Sequence, residues 1–371
     1  MAVAFVDLKQ QYSELEKEIT LCLTTVFRDA DFIQGKNVFA FEEEFAKYLR
    51  AANCIAVNSG TDALIFGLRA LQLPPGSEVV LSANTFIAAA LAITENCLKP
   101  VFSDVDEHDF GMDLSDLKRK INKRTKAVVM THLYGQPEKI DEIKELIKKT
   151  GRKIFLVEDA CQAHGAKYKG QPVGTFGIFA AFSFYPSKNL GAYGDGGAII
   201  TGSREMKKRY LFLREYGQRK KYHHVTMGRN SRLDEIQASI LRIKLKYLDR
   251  WNEKRQQAAR YYQRLLQSFD PDVIIPRSLS GRQHVFHLYV IRLKKRTQLM
   301  EYLAKRNIRT AIHYPIPLHL QQTFKYLGYR RNDLPVSEKL SGEILSLPMY
   351  PEIKRNDIRE VADNIRSFYG L

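Results

Sequence analysis

The chain has 371 residues, 44% of them hydrophobic and 27% charged, with a formal net charge of +17. That length supports a large core and usually two domains, and the longest apolar stretch, FIAAALAI at 86–93, falls far short of the ~20 residues that span a bilayer. Cys22, Cys54, Cys97 and Cys161 are scattered with no CxxC and no zinc spacing, which speaks against a disulfide scaffold or a zinc site and fits reduced thiols in a cytoplasm.

The N-terminal stretch MAVAFVDLKQQYSELEKEI turns acidic and amphipathic at once, unlike a signal peptide. Helical periodicity runs through residues 12–50, with Leu15, Ile19 and Leu23 on one face and Phe39, Phe41, Phe45 and Leu49 further on. Apolar and amphipathic runs then alternate. CIAV (54–57) reads as a strand and TDALIFGLRAL (61–71) as a helix; EVVLSA (78–83) is a strand and TFIAAALAITEN a helix. PVFSDV and AVVMTHLY are strands, IDEIKELIKKTG a helix, and KIFLVEDA, IFAAFSFY (178–185) and GGAIIT (196–201) strands. Apolar strands alternating with helices predict an α/β fold with a doubly wound sheet. GGAIIT follows its predecessor after a short loop, which suits a hairpin or an edge strand. From residue 235 the texture changes to one long basic helical pattern, EIQASILRIKLKYLDRWNEKRQQAARYYQRLLQSF, ending at DP. HVFHLYVIRL, a strand, and RTQLMEYLAKRN, a helix, follow. The expected division is a large domain over 1–249 and a smaller C-terminal α/β domain over 250–371.

Basic runs such as KKTGRK, REMKKRY and GQRKKYHH are interrupted by acids, and no helix-turn-helix, zinc finger or basic arm accompanies them. Most read as solvated faces; the excess charge also suits a site that draws in small polyanions.

Four motifs lie just after strands, where open α/β sheets bind ligands. In NSGTDAL, Ser59, Gly60 and Thr61 sit at a helix start, where free N–H groups favour a phosphate; taken alone, an ordinary N-cap explains them as well. In SANTFIAAA, Phe86 can stack on a flat ligand or belong to the core. FLVEDACQAHGA ends a strand on Glu158 and Asp159, of which at least one carboxylate reaches the sheet edge, with Gln162 and His164 beyond. In FSFYPSKNLGAYGDGGAII, Ser183 ends a strand and Lys188 follows among glycines. Such a lysine is a solvated cation, an anion ligand or a nucleophile whose amine burial has activated. Phosphate cradle, aromatic plate, buried carboxylate and lysine, in that order, describe a pyridoxal phosphate site. GxxxxGK[ST] is absent, as is GxGxxG after the first strand, which ranks nucleotide hydrolysis and dinucleotide redox low.

NSGTDAL, EDACQAHGA, SFYPSKNLGAYGDGGAI and GRNSRLDEIQA, in this order and spacing, resemble the DegT/DnrJ/StrS family of sugar aminotransferases, which have the aspartate aminotransferase fold. The resemblance covers nearly the whole chain. It implies pyridoxal 5'-phosphate as cofactor, with Lys188 bonded to its aldehyde and Asp159 to its pyridine nitrogen. It further implies Gln162 at the ring hydroxyl, Phe86 stacked on the ring, and Gly60, Thr61 and Ser183 at the phosphate. Asn230 would reach the phosphate from a neighbouring subunit of a homodimer. L-glutamate would be the donor and a nucleotide-linked keto sugar the acceptor. REYGQRKKYHH followed by GRNSRLDEIQA is similar to the branch acting on dTDP-linked 3-keto-6-deoxy sugars, which implies Lys220 and Tyr222 at the diphosphate and Tyr185, His313 and Tyr314 at the sugar. The rival within catalysis is amination of a 4-keto UDP- or dTDP-sugar. The rival outside it is a nucleic-acid-binding regulator on a vestigial cofactor fold. Neither nucleic acid nor membrane is expected as a partner of the enzyme, and no metal.

Overall fold

The computed structural model describes residues 2–269, 272–277 and 279–370. The chain opens with α1 (Leu8–Asp29), where the Asp7 side chain accepts N–H bonds from Lys9 and Gln10, and α2 (Lys36–Leu49). Phe41, Phe45 and Leu49 recur every fourth residue and form the buried stripe of α2; Phe39 falls off that stripe and is 54% exposed.

The expected alternation follows as β1 (Asn53–Val57), α3 (Gly60–Ala70), β2 (Glu78–Ser82), α4 (Ala88–Glu95), β3 (Lys99–Ser103), α5 (Leu114–Lys120), β4 (Thr125–Thr131), α6 (Ile140–Lys149) and β5 (Phe155–Asp159). Two short strands, β6 (Lys167–Tyr168) and β7 (Gln171–Pro172), precede β8 (Phe179–Ser183) and β9 (Gly197–Thr201). Seven of these strands form one sheet in the order β1-β9-β8-β5-β4-β2-β3. All run parallel except β9, which pairs antiparallel with both β8 and β1. The hairpin-like reversal expected for GGAIIT is therefore present, but β9 lies inside the sheet and is no edge strand. Its five residues are all buried, as are those of β1 and β2. Layers of helices cover both faces, so these strands carry apolar side chains on each side. Each fully buried Ile, Val or Phe contributes ~1.5–3 kcal/mol of hydrophobic stabilisation.

After α7 (Arg204–Arg214), a protruding arm carries β10 (Gln218–Lys220) and β11 (His223–His224). The single long helix expected from residue 235 is two, α8 (Glu235–Leu245) and α9 (Leu248–Leu266). Lys246 and Tyr247 donate to Ile243 and Lys244, three residues back, and this tighter turn redirects the chain. The DP stop lies outside the described residues. The C-terminal part holds β12 (Arg282–Gln283), β13 (Tyr289–Arg292), α10 (Arg296–Ala304), α11 (Pro335–Glu343), β14 (Ile344–Leu347) and α12 (Arg355–Tyr369). HVFHLYVIRL is strand only in its second half. Val285 and Leu288 instead bond Gly135 and Tyr134 in the loop after β4. Residues of α9, β13, α10, β14 and α12 build a core cluster of their own, which Val3 joins through a bridge to Ile308. On that cluster we propose the division of the chain near residue 250. Among the described residues, no helix is long and apolar enough to cross a membrane.

Candidate active site

The loops following the parallel strands meet at one edge of the sheet and line a cleft of about 480 Å³. Gly60, Thr61, Phe86, Asp159, Gln162, Ser183, Tyr185, Lys188, His313 and Tyr314 all border it.

At the end of β1, Ser59 caps α3 by accepting from the Asp62 N–H at 3.1 Å. The first N–H groups of the helix, at Gly60 and Thr61, have no intrahelical acceptor and lie at the cleft. Gly60 is required by packing, because a Cβ there would sit 2.7 Å from the Ser183 Cβ and 2.9 Å from the Cys161 Sγ. This close approach brings the helix N-terminus against the end of β8, where Ser183 adds a hydroxyl. The resulting cradle suits a phosphate.

Strand β5 separates its two carboxylates by the alternation of side chains across a sheet. Glu158 turns away from the cleft. It is fully buried and accepts N–H bonds from Gly174 (2.6 Å), Phe176 (2.7 Å) and Gly177 (2.7 Å), with His132 Nε2 at 3.1 Å. Burial raises its pKa, but the hydrogen bonds and the His132 ring outweigh that and hold it below the usual carboxylate range. Asp159 turns into the cleft and accepts from the Cys161 N–H at 3.2 Å.

Lys188 follows β8 in a turn closed by its N–H to the Tyr185 carbonyl at 2.8 Å. The residue is half-buried and lines the cleft. Burial pulls the amine below the ordinary lysine range, and the charge of Asp159 opposes the shift. A desolvated amine and a carboxylate thus share one cavity.

Gln162 accepts from the Tyr134 N–H at 2.7 Å and donates to the Tyr314 hydroxyl at 3.1 Å. Tyr314 in turn lies 5.6 Å, centroid to centroid, from Phe86, which is half-exposed at the mouth. His313 is held by Ser346 Oγ at 2.9 Å from its Nδ1, and the Tyr134 hydroxyl donates to its carbonyl. Burial, and then the charge of Lys188, bring its pKa down to about 4. The C-terminal part of the chain in this way supplies one wall.

His164 does not face the cleft and is not on the surface. It is fully buried, packed on Phe182 and Phe184, and burial takes its pKa to about 3. Lys220, Tyr222 and Asn230 lie outside the cleft lined by this chain. Lys220 and Tyr222 stand on the protruding arm, with Tyr222 83% exposed, and Asn230 follows it, its Oδ1 accepting from Arg232. Sequence reasoning passed over Thr131, Asp195 and His287, which border the cavity. Asp195 was discoverable inside the GDGG cluster; His287 was absorbed into a strand pattern.

A planar ring fits this donor set: a hydroxyl and helix-terminus cradle at one end, a carboxylate within, an aromatic plate at the mouth and an amine poised for a carbonyl. The fold and the cavity together define an enzyme of the pyridoxal phosphate class. Residues 13–366 match the DegT/DnrJ/EryC1/StrS aminotransferase family, and the chain belongs to that family. It is 43% identical to the pleiotropic regulatory protein of Geobacillus stearothermophilus, covering 100% of this chain and 99% of that one. It is 42% identical to the dTDP-3-amino-3,6-dideoxy-alpha-D-galactopyranose transaminase of Aneurinibacillus thermoaerophilus, covering 99% of each. With the UDP-N-acetyl-3-dehydro-alpha-D-glucosamine 3-aminotransferase of Acidithiobacillus ferrooxidans it shares 40% identity, over 98% of this chain and 97% of the other. The crystal structure of DesV from S. venezuelae in complex with a ketimine intermediate superposes with a TM-score of 0.95 at 40% identity, over 99% of this chain and 98% of that one. The enzyme is a pyridoxal-phosphate-dependent aminotransferase with the fold of that family, and two of these relatives are named as aminotransferases of dTDP- and UDP-linked sugars.

Proposed function

We propose that this enzyme transfers the amino group of L-glutamate to a dTDP-linked 3-keto-6-deoxyhexose, giving a dTDP-3-amino-3,6-dideoxyhexose. The observation that carries the chemistry is that Lys188 and Asp159 line one and the same cleft. The substrate reading leans on the near end-to-end similarity to a dTDP-3-amino-3,6-dideoxyhexose transaminase.

When bound, pyridoxal phosphate supplies an aldehyde for amines and a ring that withdraws electrons from the reacting carbon. The chain supplies the rest. Asp159 holds a proton on the pyridine nitrogen. Gly60, Thr61 and Ser183 bind the phosphate, Gln162 the ring hydroxyl, and Phe86 packs on the ring face. Lys188 would act as the general acid and base, taking a proton and returning it; burial lowers the pKa of its amine, which favours the neutral form that accepts one. Tyr185, His313 and Tyr314 line the sugar side and exclude water. Asn230 of a second copy completes the phosphate site in a homodimer, and Lys220 and Tyr222 on the arm meet the diphosphate.

Incubation with glutamate and, separately, dTDP-3-keto, dTDP-4-keto and UDP-3-keto sugars tests this reading. NMR of the product should place the new amine at C3 of the dTDP-sugar. Turnover of the 4-keto or the UDP-linked sugar in preference would overturn it.

A further inference from the structure

A chain of buried amides behind Lys188 determines the proton position on a histidine that the cleft contains. The chain starts at His164, whose backbone carbonyl accepts only. Asn252 on α9 must therefore turn its Nδ2 to that oxygen, at 2.8 Å, and its Oδ1 the other way. Asn189, the residue after Lys188, donates from Nδ2 to Asn252 Oδ1 at 2.8 Å and to the Val285 carbonyl at 3.1 Å. Both acceptors lack a hydrogen to give, so the Asn189 amide has one orientation. Its Oδ1 faces His287 Nδ1 at 3.2 Å. An oxygen that can only accept requires a hydrogen on Nδ1. Asn189, Asn252 and His287 are all buried, which makes an unsatisfied alternative costly.

The ring of His287 lines the same cleft as Lys188. Burial first, and the charge of Lys188 next, hold the ring neutral, well below the ordinary histidine range. A neutral ring with its hydrogen on Nδ1 has a bare Nε2. Among the described residues, Nε2 takes no hydrogen-bond partner, whereas Nδ1 has Asn189.

We propose that Asn189 fixes His287 as the Nδ1–H tautomer, so that Nε2 stays in the cleft as a hydrogen-bond acceptor that orients the amine of Lys188 once it is free. Asn189 and His287 are then positioning residues: no bond is made or broken on them, and Nε2 only accepts a hydrogen bond from the amine. The proposal rests on the assignment of Lys188 as the reacting amine and is independent of which sugar is aminated.

Histidine-selective 15N labelling tests it in the cofactor-loaded enzyme, with His287→Asn used to assign the signal. Long-range proton–nitrogen spectra at neutral pH should report Nδ1–H for His287 in the wild type and a mixture of tautomers in Asn189→Ala. An Nε2–H tautomer or a doubly protonated ring in the wild type would overturn the proposal. Kinetics of the half-reaction with glutamate give the second reading. His287→Asn keeps a polar group near Asn189 and removes the acceptor, and kcat should fall about tenfold or more with KM and the visible absorbance of the bound cofactor unchanged. His287→Gln, which restores a polar atom on the cleft side, should recover part of that loss. Equal losses in both variants, or a weakened hold on the cofactor in His287→Asn, would contradict it.

Discussion

Glu158 and Asp159 are consecutive carboxylates with opposite tasks: strand alternation sends them to opposite faces, and the donors packed on one face decide which is which. The fully buried Glu158 carboxylate takes four donors, so its loss should be a matter of stability. Glu158→Gln places an amide hydrogen against N–H groups and should cost about 3–5 kcal/mol, the usual penalty for breaking a buried charged network, read from urea unfolding. Because its folded pKa is depressed, Glu158 contributes stability above the ordinary glutamate value, near ~4.3. That contribution disappears as pH falls through the lower folded value; Glu158→Gln should flatten the acid side of the stability profile, and an unchanged acid limb would refute the assignment. Asp159→Asn should instead leave the unfolding midpoint almost unmoved while kcat drops by roughly 10²–10³-fold, the scale of a lost preorganised electrostatic contact. The strand pattern places both residues at the end of β5 and does not say which faces the cleft; only the family resemblance pointed to Asp159, and the partners packed beneath the sheet supply the physical reason. The same holds for His164, whose burial behind Phe182 and Phe184 follows from packing rather than from its motif.

Among elements, the N-terminus of α3 illustrates how much close approach matters. Gly60→Ala adds one methyl group within 2.7 Å of Ser183, which must push the helix away from β8. The cofactor dissociation constant should rise at least about tenfold, equivalent to ~1.4 kcal/mol, as measured by equilibrium dialysis; an unaltered constant would show that this helix end does not hold the phosphate. Strands of the sheet were readable because both of their faces are buried, which writes an apolar run rather than an alternation. The motifs were readable because they follow those runs directly. HVFHLYVIRL misled because residues 284–288 pair with the loop at 134–135 instead of a strand, and no local pattern encodes that partner. The basic run REMKKRY, read as a solvated face, is most of α7, whose Met206, Tyr210 and Leu213 are buried. His287 escaped notice for a related reason, since its meaning comes from Asn189, 98 residues away.

For the whole molecule, the net charge of +17 is compatible with attraction of an anionic nucleotide sugar. KM for that substrate should rise with ionic strength while KM for glutamate rises less, and identical salt responses would remove charge from the account. The arm that carries Lys220 and Tyr222 and leads to Asn230 is outside the chain's own cleft, as a shared active site requires. Mixing Lys188→Ala with Asn230→Ala subunits should restore activity that neither variant has alone, because one site of each mixed dimer is intact; no recovery after confirmed subunit exchange would place Asn230 outside the site. Both tests concern assembly and substrate, and both presuppose that the amine at position 188 reacts. That premise is tested most directly by the visible absorbance of the cofactor-supplied enzyme before and after borohydride, in wild type and in Lys188→Ala. The account predicts an absorbance that borohydride abolishes in the wild type, with the reduced cofactor fixed on Lys188, and no such fixation in the variant. A wild type that shows no reducible bond, or a variant that fixes the cofactor as well as the wild type does, would contradict it.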